Sequence, residues 1–96
     1  NRLVEIMNDN PNITIQLGAH TDTNGSEPYN KRLSNRRAQS VMEYLEINGI
    51  STDRLSWFGF GETEPLIYPE LSDRDEQANR RVEFRIKSVD YEAPDA

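Results

Sequence analysis

The chain has 96 residues, of which 29% are charged and 34% hydrophobic, and a formal net charge of −6. That is room for one domain with a modest core, and the acidic balance argues against a nucleic-acid partner, which needs a basic stripe. Cysteine is absent and His20 is the single histidine, so disulfides, thiol catalysis and a histidine-rich metal centre are excluded.

No stretch approaches the ~18 consecutive apolar residues of a membrane span. The start, Asn1-Arg2-Leu3-Val4-Glu5, does not read as a signal peptide, and the sequence reads as a piece of something longer. No internal repeat or low-complexity run is present.

Arg2 to Asp9 reads as the end of a helix, with Leu3, Ile6 and Met7 at helical spacing and Asn10-Pro11-Asn12 as its stop. Ile13 to Leu17 alternates apolar and polar residues, as a half-buried strand does. The alternation breaks at Gly18-Ala19-His20-Thr21-Asp22, and Thr23 to Ser26 reads as a loop. Ser26 is a suitable N-cap for a long helix reaching about Asn48, with Pro28 in its first turn and Gly49 just past its end.

A second strand is expected at roughly 55–60. A long acidic, proline-containing connection from Glu62 to Gln77 follows, and then a third strand over 81–87. The expected domain spans 1–88, and 89–96 reads as an acidic, flexible tail. The spacing of strand, helix and strand favours parallel pairing. The fold class is α+β, with two helices over one face of a mixed sheet. A domain beginning in mid-helix suggests that a first strand lies upstream.

Two residues stand out chemically. Leu33, Arg37, Val41 and Leu45 are four apart and are expected to form one ridge facing the sheet, with Arg37 inside it. A guanidinium there needs an anion in good geometry. A structural ion pair with an Asp or Glu would meet that need, and so would an anionic ligand. Asp22 follows the end of a strand, where ligand sites in open α/β sheets gather, although a turn-forming Asp fits the same stretch. Together the two charges suit a zwitterionic amino-acid group. His20 has no catalytic partner in sequence. Tyr29, Tyr44, Trp57 and Phe58 read as packing residues, and Lys31 and Arg32 as a solvated helix face.

The pattern His20-Thr21-Asp22-x-x-Gly25, then Tyr29-Asn30-x-x-Leu33-Ser34-x-x-Arg37-Ala38-x-x-Val41, Tyr44-Leu45, Gly49-Ile50 and Arg54-Leu55, resembles the OmpA-like (OmpA/MotB/Pal) peptidoglycan-binding domains. It closes with Gly59-Phe60-Gly61-Glu62-x-x-Pro65 and Asn79-Arg80-Arg81-Val82-Glu83-Phe84, so the likeness runs through nearly the whole chain. The resemblance implies a β-α-β-α-β-β mixed sheet, of which this chain lacks the first strand. It implies that Asp22 binds the free ammonium and Arg37 the free carboxylate of the diaminopimelate in a cell-wall stem peptide. Thr21, Asn30 and Arg80 match positions lining that pocket.

The resemblance further implies a non-enzymatic anchor, without cofactor or metal, that ties a Gram-negative envelope or outer-membrane protein to peptidoglycan from the periplasm. The domain itself is expected outside the membrane, and homodimerisation is left open. A protein-interaction or stator-type module with secondary wall binding is the alternative. A cell-wall amidase or carboxypeptidase would need a nucleophile or metal-bound water that the sequence does not offer.

Overall fold

The computed structural model describes residues 2–94; residues 95 and 96 of the acidic tail lie outside the described residues, as does residue 1. Helix α1 (Arg2–Asp9) is followed by β1 (Thr14–His20), α2 (Glu27–Ile47), a single 3-10 turn (Thr52–Arg54), β2 (Leu55–Gly61), α3 (Asp73–Asn79) and β3 (Val82–Ser88). The sheet runs β2-β1-β3, with β1 parallel to β2 and antiparallel to β3. The fold is α+β, as the sequence led us to expect.

The alternation in β1 sets the layers. Ile15, Leu17 and Ala19 are buried on one face and join Met7, Ile13, Leu45, Ile50 and Leu55 in the core. Fully burying one such aliphatic side chain contributes about 1.5–3 kcal/mol. Leu3, Val4 and Ile6 of α1 and Val41 and Met42 of α2 pack around this cluster, so both helices cover the same sheet face.

Local chemistry fixes the ends of α2. Ser26 Oγ accepts the Tyr29 amide at 3.3 Å. At the other end Gly49 takes φ +91°, and the Gly49 and Ile50 amides return to the Glu46 and Leu45 carbonyls. Buried Arg54 closes α1 in the same spirit. Its guanidinium donates to the carbonyls of Met7, Asn10 and Ile13 at 2.6–3.0 Å, which satisfies helix-end acceptors in the interior.

Three features depart from the sequence reading. First, the buried stripe of α2 is Asn30, Ser34, Ala38 and Leu45, whereas Leu33, Arg37 and Val41 are only half-buried beside it. The cause lies in β2. A Cβ at Gly59 would collide with Asn35 Oδ1, and would sit 2.5 Å from the Asn35 backbone nitrogen and 2.6 Å from Ser34 Oγ. The helix approaches so closely that only small residues fit beneath it.

Second, part of the expected loop is helical. Ser72 caps α3 through the Asp75 amide, and Asp73, Asp75 and Glu76 occupy its favourable first turn. Third, β3 places Val82, Phe84 and Ile86 on the core side, in register with Ala19, Leu17 and Ile15, yet all three are 42–52% exposed. Beyond Ser88, the Tyr91 amide donates to Asn12 O at 2.9 Å.

A charged cleft at the end of the central strand

Strand β1 ends between its two neighbours. The His20 amide donates to Arg81 O and the Thr21 amide to Gly61 O, each at 2.8 Å, so the turn that follows starts from a fixed frame. Asp22, next in the chain, is only 8% exposed. Its Oδ1 accepts the Asn24 amide at 3.0 Å, an Asx turn that sets the carboxylate's direction. Its Oδ2 pairs with Arg80 Nη1, and the other arm of Arg80 donates to Gln77 Oε1 at 2.8 Å.

Thr21 and Asn30 support Asp22 from behind. Buried Thr21 donates its hydroxyl to Asp22 O at 2.9 Å. Asn30, buried on α2, donates to the same carbonyl at 3.3 Å and to Glu62 Oε1 at 3.1 Å. A buried amide needs such partners, because an unmet donor costs about 1–3 kcal/mol. The contacts therefore lock the turn, the first helical residues and the Gly59-Phe60-Gly61-Glu62 segment together.

Arg37 lies elsewhere on the rim. It shares an open cleft with Gln77, Arg80, Arg81 and Val82. Among the described residues it makes no hydrogen bond or ion pair; the ion pairs present are Arg80–Asp22, Arg81–Glu83 and the longer His20–Glu83 contact. The structure therefore joins Asp22, Thr21, Asn30 and Arg80 by direct bonds and adds Arg37 through a common cleft. Asp22 and Arg37 are not sealed against each other.

Several contributors were not legible in the sequence. Asn79 is fully buried, and its Oδ1 accepts the Leu66 and Ile67 amides at 2.7 and 3.2 Å. Its Nδ2 donates to Ile67 O at 2.9 Å and to Glu70 Oε2 at 2.7 Å. Glu70 in turn receives the Thr23 amide at 3.0 Å and the Thr23 hydroxyl. Burial pushes the Glu70 carboxyl up, but the hydrogen bonds from Asn79 and Thr23 outweigh it and hold the group below its ordinary range. With Asn24 donating to Glu76 Oε1 at 3.0 Å, the acidic connection is bonded directly to the wall of the cleft. Asn79 and Glu62 fall inside the motifs quoted from the sequence, but no spacing rule singles out Glu70.

Three arginines, Arg37, Arg80 and Arg81, face one opening, and Arg80 joins it to the Asp22 carboxylate. Those charges are of the kind that suits a small zwitterion or an anion. Among the described residues no group of three or more His, Cys, Asp or Glu is placed to hold a metal ion. No helix among them is long and apolar enough to cross a membrane.

Comparison with known proteins shows the family and the fold. The family model described as the OmpA family matches residues 1–80. The chain is 39% identical over 83 residues to outer membrane protein A of Escherichia fergusonii, covering 78% of this chain and 34% of that protein. It is 33% identical over 84 residues to the peptidoglycan-associated lipoprotein of Legionella pneumophila, covering 88% of this chain and 47% of that one. The crystal structure of the C-terminal domain of Helicobacter pylori MotB superposes with a TM-score of 0.82 at 27% identity, covering 91% of this chain and 67% of that chain. The chain spans less than half the length of these two curated relatives. By its motifs, fold and family match, the chain belongs to the OmpA family.

Proposed function

We propose that this domain binds peptidoglycan non-covalently and anchors an envelope protein to the cell wall, with no catalytic step. The observation that carries the reading is the unpartnered guanidinium of Arg37, opening on the same cleft as Arg80, which itself pairs with Asp22. In this reading Asp22 receives the side-chain ammonium of diaminopimelate and Arg37 its carboxylate. Thr21 and Asn30 hold Asp22 in place, and Arg80 borders both charges. Family membership and the likeness to a peptidoglycan-associated lipoprotein support the choice of ligand. The site would then lie on the periplasmic side of a Gram-negative envelope, with the remainder of the protein making the attachment to the outer membrane.

Truncating one member of a desolvated charge pair costs on the order of 2–5 kcal/mol. Asp22→Ala and Arg37→Ala are each expected to abolish co-sedimentation with purified sacculi while circular dichroism stays native. Retained sedimentation of both variants would defeat the assignment.

One observation favours a second reading, a protein-interaction module with secondary wall binding. Leu66, Tyr68 and Leu71 are largely exposed within the same connection that Asn79 and Glu70 tie to the cleft. An envelope partner whose binding survives both substitutions would favour this reading.

A further inference from the structure

The face of the sheet turned away from α1 and α2 carries a second constellation. The register gathers Gln16, Gly18 and His20 of β1, Ser56 and Phe58 of β2, and Glu83 and Arg85 of β3 on that side. Phe60 alternates with Gly59, which is turned into α2, and so joins Phe58 there. Its ring lies over Gly18, where a Cβ would come within 2.9 Å of it. It stacks on His20 with centroids 4.9 Å apart and planes at 4°, and tilts against Phe58 at 4.8 Å. Phe58 is 45% exposed, and Lys31 Nζ sits 3.8 Å from its ring centroid.

Phe60 separates two open hollows. Gln16, His20, Glu64, Glu83 and Arg85 line one with it. Lys31, Glu62 and Thr63 line the other. His20 is 3% exposed, and its Nδ1 has no hydrogen-bond partner. Two of these groups touch the cleft described above: Glu62 bonds Asn30, and Glu83 pairs with Arg81.

The chemistry of this face selects its ligand. Two braced rings present apolar faces whose negative quadrupole attracts polarised C–H groups. Around them stand an amide and charges of both signs, carboxylates and cations, so neither a polyanion nor a polycation is favoured. A neutral, polyhydroxylated ligand meets both demands, stacking a pyranose on the rings and bonding its hydroxyls to the rim. Hollows on both sides of one ring suit a chain of sugars better than a single enclosed molecule.

We propose that this face is a carbohydrate subsite that takes the β-1,4-linked amino-sugar strand of the cell wall, while the cleft takes the peptide. The choice of ligand rests on the wall-binding reading above; the geometry uses neither Asp22 nor Arg37. The test is an NMR titration of the full chain with a tetramer of β-1,4-linked N-acetylglucosamine, which carries no stem peptide, and separately with free diaminopimelate. The tetramer is expected to shift the amides of Gly18, Phe58, Phe60 and Arg85 saturably and to leave that of Arg37 in place. Phe58→Ala is expected to weaken it about tenfold, and Arg85→Ala, whose exposed side chain bonds Gln16, to weaken it as well. Asp22→Asn should leave it unchanged.

Absence of saturable shifts on this face, or undiminished binding by well-dispersed Phe58→Ala and Arg85→Ala, overturns the subsite. Diaminopimelate shifting the cleft while the tetramer shifts nothing sinks the subsite and leaves the wall-binding reading standing. The reverse pattern supports the subsite and sinks the diaminopimelate assignment.

Discussion

His20 has no catalytic partner in sequence, yet its burial gives it a part in stability. Burial, and then repulsion by Arg81, push its imidazole below the ordinary 6.5, although Glu83 and Glu64 pull the other way. The unfolded chain therefore takes up a proton at higher pH than the native one. Stability supplied by neutral His20 is complete above about pH 6.5 and is lost as pH falls from there toward the lower native value. Melting temperature is expected to drop as pH falls below about 6.5, and His20→Gln, although less stable at the start, should lose that slope. An unchanged slope in the variant would show that another group titrates. Glu70 and Glu83, both held below 4.5 by hydrogen bonds, act in the same direction but only in more acid solution. At this scale the sequence was partly legible. Asp22, Asn30 and Arg80 could be named from their motifs, but the pairing of Asp22 with Arg80 joins residues 58 positions apart, and no local pattern encodes it.

At the scale of elements, the strands and the long helix follow from alternation, capping and Gly49. The exact buried face of α2 does not. Leu33, Arg37 and Val41 look like a ridge when apolar character is the only guide, but the close approach permitted by Gly59 turns the Ser34 and Ala38 side inward. Size rather than hydropathy decides the rotation of this helix. Gly59→Ala is accordingly expected to cost about 1–3 kcal/mol in urea unfolding, because backbone stands in the way of the new methyl. At Gly49 nothing lies within 4 Å, and Gly49→Ala should cost only the left-handed backbone term, about 1–2 kcal/mol. A loss well under about 1 kcal/mol at Gly59 would contradict the tight contact. Helix α3 escaped the sequence reading for a related reason: seven mostly polar residues, Asp73–Asn79, carry no apolar period, and its stability comes from Ser72 and the acidic first turn.

The whole molecule is a three-stranded sheet, among the described residues, with one strand only partly covered. Strand β3 pairs with β1 alone and exposes Val82, Phe84 and Ile86 in alternation. An apolar edge strand of that kind pairs with other chains. The 96-residue chain is expected to self-associate as its concentration rises in sedimentation velocity, and Phe84→Lys to return it to monomer. A monomer at every concentration would remove the edge as a source of association. The α+β class and the parallel pairing of β1 with β2 were legible, because a strand, a long capped helix and a second strand at this spacing favour them. The exposed strip was not, because alternation reports which residues share a face and not what lies over it.

The Asp22 carboxylate has a further consequence. It already carries a cation of the protein's own, Arg80. An incoming ammonium would exchange one partner for another instead of filling an empty seat, so the net gain is a difference between two similar attractions. Each individual grip is then modest and quickly released, and firm attachment would come from many copies acting on one wall. A tether built this way holds under load yet slips past single sites as the lattice beneath it is cut and extended.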